Sequence, residues 1–109
     1  MVRTREEALD AAVRARTGLE RIYGKRLKGV YLFGSAARGQ MDEDSDVDVA
    51  VVLDEISDRF EEHERTSEFG SEISIECGTL VTFFFMPESD FLEGRYAAYR
   101  AVRQEGILV

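Results

Sequence analysis

The stretch FGSAARGQMDEDSDVDVAVVL, residues 33–53, decides the fold and carries the residues best suited to chemistry. A Gly-Ser turn, Gly34 and Ser35, ends one apolar run, and two aspartates, Asp46 and Asp48, open the next. Backbone N–H groups and a hydroxyl at such a turn suit an anion, and glycine permits its close approach. Two carboxylates two residues apart on a strand share one face and suit a hard divalent cation. The stretch therefore predicts a site for phosphate and metal.

The alternative role for the two aspartates is to keep a strand end soluble. They run directly into the aliphatic residues 49–53, where burying two like charges on one strand face is costly unless a cation or donors neutralise them. We therefore favour a functional role for both. Arg38 follows Gly34 by one helical turn and adds a forked cationic donor for the same anion.

The rest of the chain has the pattern of one small α/β unit. A capping box, Thr4 with Glu7, predicts the start of the first helix, and Gly24 its end. Residues 71–77 fit either a helix or a strand, because their isoleucines alternate. The predicted elements are a helix over 5–23, strands over 30–33 and 46–53, a helical segment from 57, a strand over 79–86 and a final helix over 96–103.

Three smaller predictions concern the second half of the chain. Ser89 and Asp90 are expected to cap a short helical turn. The phenylalanines of strand 79–86 are expected in the core, because that strand is rich in β-branched and aromatic residues. His63 lies among carboxylates on a charged helical segment, so we expect an exposed residue and not a catalytic base.

Length and charge restrict the classes of partner. A chain of 109 residues suits one domain with a modest core, so residues 1–109 are predicted to form a single domain. The net charge of −8 repels a nucleic-acid backbone, which argues against a nucleic-acid partner. No apolar stretch reaches the roughly 18 residues that span a bilayer, and the start lacks a signal-peptide core, so a cytoplasmic protein is expected. The single cysteine, Cys77, excludes an internal disulfide.

Three short motifs of the opening stretch form one signature, GSxxRG…SDxD. They are Gly34-Ser35, Arg38-Gly39 and Ser45-Asp46-Val47-Asp48. This signature resembles that of the nucleotidyltransferase superfamily related to DNA polymerase β, in its small branch of minimal nucleotidyltransferase (MNT) domains. The resemblance implies an α/β (α+β) nucleotidyltransferase fold, a small mixed β-sheet flanked by helices.

The resemblance also implies an activity, the Mg2+-dependent transfer of a nucleoside monophosphate, AMP from ATP, to a hydroxyl of a protein or small molecule. The residues that it implies as catalytic and metal-binding, in a site for up to two Mg2+ ions, are Asp46 and Asp48. The residues that it implies for nucleotide binding are Gly34, Ser35, Arg38 and Ser45. Metal ions in such a site neutralise charge on the transferring phosphoryl group and hold the attacking and leaving oxygens.

The sequence departs from the family pattern at one position. Active members carry a third carboxylate on a later strand, but strand 79–86 has no acidic residue. Leu80 and Thr82 lie where that carboxylate is expected, and Glu76 is the nearest upstream candidate to replace it. Nucleotide and metal would still bind without it, while transfer would be slow or absent.

Three further functions stay open. A binding module, the antitoxin-like half of a pair with a helical HEPN-type protein, fits the small size and the apolar residues 107–109. Modification of an aminoglycoside drug fits the acidic surface, although such enzymes generally use a longer chain. The last alternative is a structural domain without a ligand.

Overall fold

Residues 4–40 and 46–109, the part of the chain that the computed structural model describes, form a four-stranded sheet with helices on both faces. The elements in chain order are α1 (Arg5–Tyr23), a 3-10 turn (Gly24–Arg26), β1 (Leu27–Phe33), β2 (Val47–Leu53), α2 (Arg59–Cys77), β3 (Val81–Pro87), α3 (Glu88–Glu93), α4 (Ala97–Glu105) and β4 (Ile107–Leu108).

Strand β2 is central to the sheet, whose order is β3-β2-β1-β4. It pairs antiparallel with β1 and parallel with β3, and β4 pairs antiparallel with β1. Val49 and Val51 face the core beneath α1 and α2, while Ala50 and Val52 pack with α3 and α4 on the other face. Burial on both faces explains the nearly continuous aliphatic sequence of β2. The predicted mixed sheet flanked by helices is confirmed.

Helix α1 begins and ends where the sequence predicts. The Thr4 hydroxyl accepts a hydrogen bond from the backbone N–H of Glu7 at 3.1 Å, and Gly24 follows the last helical residue with φ +55°. The buried side of α1 is largely alanine, which lets the helix lie close to the sheet.

Across residues 4–40 and 46–109, every helix is too short or too polar to cross a lipid bilayer.

The ambiguous residues 71–77 form the last two turns of α2. The Asp58 side chain caps the first turn of α2, and Gly78, with φ +68°, ends the helix. Ile73 is buried while Ile75 is 81% exposed, so the two isoleucines lie on different sides of the helix. Their alternation is too short to compete with a well-capped helix, which rules out the strand alternative.

One prediction near the C-terminal end of the chain is wrong. Helix α3 begins at Glu88 directly after Pro87, so Ser89 and Asp90 lie inside it; the carboxylate of Asp90 instead lies 3.5 Å from Arg95.

The apolar residues 107–109 join the sheet, which the sequence did not predict. Strand β4 pairs with β1, and the backbone N–H of Val109 donates to the carbonyl of Val30 at 3.0 Å. A strand of two residues has no period that a sequence pattern can show.

A buried carboxylate ties α2 to α1 and to the start of β1. Glu62 is 2% exposed and accepts hydrogen bonds from Tyr23 at 2.9 Å and from Arg26 and Arg65 at 3.1 Å. Burial pushes the pKa of Glu62 upward, but the three donors outweigh burial and hold its pKa below the usual value. Glu62 therefore stabilises the fold as a charged group.

Replacing Glu62 with Gln should lower the free energy of unfolding by about 3 kcal/mol at pH 7, because two arginines lose a buried anion. A lowered pKa contributes stability above the unfolded-state pKa, and this stability is lost as pH falls through the folded-state pKa. The difference between wild type and Glu62→Gln should therefore shrink below about pH 4. Urea denaturation at pH 7 and pH 3 measures it. Exposed Glu64, changed to Gln, is the matched control; equal losses in the two variants would contradict this assignment.

Candidate functional site

Strand β1 ends in a tight turn that begins with Gly34 at φ +75°. The turn closes with hydrogen bonds from Gly39 N to Ala36 O at 3.2 Å and from Gln40 N to Ser35 O at 2.8 Å. This pair of bonds, with Gly39 at φ +72°, is a Schellman motif, which ends helical turns. Residues 35–38 therefore form a single turn that ends at Gly39.

Gly34 lies in direct contact with the side chain of Asp48. The register of β1 and β2 pairs Phe33 with Asp48, so the residue after Phe33 lies beside that carboxylate. A Cβ atom on residue 34 would overlap Asp48 Oδ2 and lie 3.3 Å from Cγ. Two separate constraints, a positive φ and a lack of space, thus require glycine here.

Asp48 is held from the other side by Thr82. The parallel register pairs Asp48 on β2 with Thr82 on β3, and the Thr82 hydroxyl donates to Asp48 Oδ1 at 2.9 Å. Burial raises the pKa of Asp48 and the charge of Asp46 raises it further, while the Thr82 hydrogen bond and the charge of Arg38 partly lower it. The charged form of Asp48 is thus under-stabilised by its surroundings.

Asp46 lies one residue before β2 and is exposed. The strand was predicted to start at Asp46, but its first ladder residue is Val47, whose N–H donates to Leu80 O at 2.9 Å. Asp46 is still close enough for its charge to raise the pKa of Asp48. Ser45, predicted to support a bound nucleotide, lies outside the described residues.

Arg38 is at the edge of this group and is already engaged. Its Nη1 lies 3.4 Å from Glu105 Oε2 on α4, and its Nε donates to Gln40 Oε1 at 3.2 Å. Its charge nevertheless lowers the pKa of Asp48. The structure thus brings Gly34, Asp46 and Asp48 together, with Arg38 facing another acid nearby.

Thr82 takes the place where a third carboxylate was expected. Leu80, the other residue considered there, is 55% exposed. Glu76 does not reach the site, because it lies on α2 beside Arg14 and Thr17 of α1. In the described parts of the chain, no three or more His, Cys, Asp or Glu side chains are grouped to hold a metal ion. Asp46 and Asp48 are the acidic pair that the structure offers.

The sequence prediction missed the position of Phe84. Phe83 and Phe85 are in the core as expected, but Phe84 is 46% exposed and lies edge-on to Phe33, with ring centroids 5.1 Å apart. Strand alternation places Phe84 on the same face as Thr82, and α3 and α4 cover this face only farther along, around Met86. Phe84 comes two residues after Thr82, and this spacing is the sequence signal that could have predicted its place on the Thr82 face.

Comparisons with known proteins agree on one kind of domain. The family model described as a nucleotidyltransferase domain matches residues 13–97. No functionally curated protein matches the chain.

Among solved structures, a toxin-antitoxin with AMP-PNP aligns with a TM-score of 0.60 and 21% identity, over 87% of this chain and 69% of that chain. A mutant of the toxin-antitoxin MntA-HpeT aligns at 0.59 and 18%, over 87% and 69%. A nucleotidyltransferase structure from Sulfolobus solfataricus, described as putative in its name, aligns at 0.59 and 22%, over 94% and 85%. At these identities the structural likeness shows a shared fold.

Gly34 and Gly39 both have a positive φ, but only Gly34 touches Asp48. Alanine substitutions at the two positions therefore separate the effect of the Asp48 contact from the cost of a positive φ. Gly34→Ala and Gly39→Ala each place a side chain at positive φ, which costs about 1 kcal/mol of unfolding free energy. Only Gly34→Ala also displaces Asp48, since a Cβ on residue 39 meets nothing within 4 Å. Gly34→Ala should therefore lose about 3 kcal/mol in urea denaturation. Equal losses in the two variants would show that the contact does not constrain the site.

Proposed function

We propose, from the premise that this chain belongs to the nucleotidyltransferase domain family, that it transfers a nucleoside monophosphate to an acceptor hydroxyl. The nucleotide that we propose is ATP, and the acceptor is a protein or a small molecule. One observation carries the proposal: a turn suited to phosphate, at Gly34, lies directly against the carboxylate of Asp48. This contact places an anion site and a cation site side by side.

The acidic pair fits a divalent cation such as Mg2+. Asp48 is half-buried next to the charge of Asp46, and the one hydrogen bond it accepts from the described side chains is that of Thr82. The nearby guanidinium of Arg38 is paired with Glu105. Carboxylate oxygens that lack a counter-charge are suitable ligands for a hard cation. When bound there, Mg2+ would neutralise charge on the phosphoryl group and stabilise the leaving oxygen.

The residues around this pair take the remaining roles. The backbone at Gly34 and Ser35 would bind the β and γ phosphates, and Arg38 would add a cation if it leaves Glu105. Ser45 is proposed to support the triphosphate from the segment before Asp46. In the reaction the acceptor oxygen bonds to the α-phosphorus, the bond to the bridging oxygen breaks, pyrophosphate leaves and the hydroxyl proton passes to water.

A second candidate is a nucleotide-binding module with little or no turnover, which acts by binding a helical HEPN-type partner. The observation that favours it is Thr82, a neutral side chain in the position opposite Asp48. Two of the similar structures are toxin-antitoxins, which supports a protein partner of this general kind. The two candidates share the nucleotide site and differ in whether transfer occurs.

Incubation with α-labelled ATP, Mg2+ and candidate acceptor proteins tests the first candidate. We expect label to move to the acceptor, and we expect the Asp46→Asn, Asp48→Asn double variant to lower the rate by at least about 1,000-fold, because both metal ligands lose their charge. The exposed pair Glu61→Gln, Glu72→Gln, which removes the same charge from α2 away from the candidate site, is the control. Transfer that survives the double Asp replacement would refute the assignment.

The Thr82→Asp variant separates the two candidates. It adds a carboxylate beside Asp48, so a site that binds ATP without turnover should gain transfer in the presence of Mg2+. Thr82→Asn, which adds no charge, should not. A wild type that already transfers label at enzyme-like rates supports the first candidate, and ATP binding without transfer supports the second.

A further inference from the structure

Two aromatic side chains meet over the central strand, next to the acidic pair. The rings of Phe33 on β1 and Phe84 on β3 have centroids 5.1 Å apart and planes at 81°. Strand β2 lies between these two strands, so the rings approach each other across it. The β2 residue paired with Phe84 is Ala50, which is fully buried and small enough to leave room for both rings. We call Phe33 and Phe84 the aromatic pair.

The aromatic pair lies on the same face of the sheet as Asp48. Paired residues on neighbouring strands share a face, and the register pairs Phe33 with Asp48 and Ala50 with Phe84. Asp48 and Ala50 are two residues apart on β2, so they too share a face. This spacing corresponds to about 6.6 Å along a strand, which is close to the span of a ribose with its exocyclic carbon. A phosphate held at Asp48 therefore has the aromatic pair within the reach of one sugar.

The fold leaves Phe84 open to a ligand. Its neighbours Phe83 and Phe85 are 9% and 3% exposed, whereas Phe84 is 46% exposed. Two residues farther along the same face, Met86 is buried with Phe91 of α3 and with residues of α4. Helices α3 and α4 thus cover this face at Met86 and leave it open at Phe84. An open aromatic ring beside a polar site is typical of the apolar wall of a ligand site.

The proposed reaction restricts the direction in which the nucleoside leaves the phosphate site. Pyrophosphate is assigned to the turn at Gly34, and Gly34, Asp48 and Thr82 follow one another across the strands. The attacking and leaving oxygens lie in line on opposite sides of the α-phosphorus, so they occupy this axis. The nucleoside is bonded to a different oxygen and therefore points away from the axis. Along β2, one such direction passes the exposed, charged Asp46 and the other leads to Phe84.

The chemistry of Phe84 selects the base among the parts of a nucleotide. Phosphate oxygens and ribose hydroxyls gain no hydrogen bond from an apolar ring, whereas every base has a flat π face that stacks on one. A stacked ring responds to the area of the base and not to the hydrogen-bonding groups at its edge. It therefore separates the larger purines from the smaller pyrimidines, but not adenine from guanine.

We propose that Phe84, supported by Phe33, stacks on the base of the bound nucleoside triphosphate and sets a preference for purines over pyrimidines. The proposal rests on the proposed function, because it names a specificity-determining residue for the same nucleotide.

The test compares Phe84→Leu with wild type, because leucine keeps an apolar cover over Ala50 but has no flat ring. Calorimetry of the full chain with Mg2+ measures affinity for ATP, GTP, CTP and UTP, and for tripolyphosphate, which has no base. We expect wild type to bind both purine nucleotides at least about threefold more tightly than both pyrimidine nucleotides. Phe84→Leu should bind ATP about tenfold more weakly and tripolyphosphate within about twofold of wild type.

Two further variants separate stacking from a merely structural effect. Phe84→Trp keeps an aromatic ring and should bind ATP at least as tightly as wild type, with the purine preference retained. Phe60→Leu makes the same change as Phe84→Leu at a 68% exposed residue near the start of α2, beyond the other end of β2, and should leave every affinity unchanged. Proton NMR gives a second readout: the base protons of ATP should shift upfield on binding to wild type, and this shift should be lost in Phe84→Leu.

Circular dichroism checks that each variant is folded. A ratio of ATP to CTP affinity that is the same in wild type and Phe84→Leu, or a loss of tripolyphosphate affinity as large as the loss of ATP affinity, would overturn the proposal. The same measurements separate it from the proposed function. A wild type that binds neither ATP nor tripolyphosphate with Mg2+ refutes the proposed function, whereas binding of both with an unchanged ATP affinity in Phe84→Leu refutes only the role of Phe84.

Discussion

The contact between Gly34 and the Asp48 carboxylate is the constraint on which the rest of the site depends. Three strands meet at this point: Gly34 directly follows β1, β2 carries Asp48, and β3 supplies Thr82. The carboxylate fits only because residue 34 lacks a Cβ, and it is half-buried between Gly34 on one side and Thr82 on the other. This packing places a carboxylate where its charge is poorly stabilised by the protein alone.

Two carboxylates, Glu62 and Asp48, lie near opposite ends of strands β1 and β2 and differ in how well the protein stabilises their charge. At the far end Glu62 receives hydrogen bonds from Tyr23, Arg26 and Arg65, and its pKa is lowered. At the near end, the hydrogen bond that Asp48 receives from the described side chains comes from Thr82, and the pKa of Asp48 is raised, chiefly by burial. A saturated carboxylate is a structural element, whereas an under-satisfied one retains binding capacity for a cation. This difference supports our proposal that the Gly34 end of the sheet is the functional one.

The sequence predicted the mixed sheet flanked by helices and placed Gly34, Asp46 and Asp48 together, because strong local signals fix them. The helix cap at Thr4, the helix end at Gly24 and the continuous aliphatic sequence of β2 are local signals, because each depends on only a few neighbouring residues. Tertiary context decided the rest. Strand β4 is too short to have a period, and the exposure of Phe84 depends on how far α3 and α4 extend over the sheet. The engagement of Arg38 by Glu105 joins residues far apart in the chain.

We propose that the turn at Gly34, the acidic pair Asp46 and Asp48 and the neutral Thr82 form a site that binds a nucleotide together with a metal ion. Titration calorimetry of ATP, with Mg2+ and with EDTA, tests this claim most directly. We expect wild type to bind ATP with Mg2+, EDTA to abolish binding, and the Asp46→Asn, Asp48→Asn double variant not to bind. ATP binding of equal affinity in wild type and double variant, or no binding to wild type with Mg2+, would contradict it.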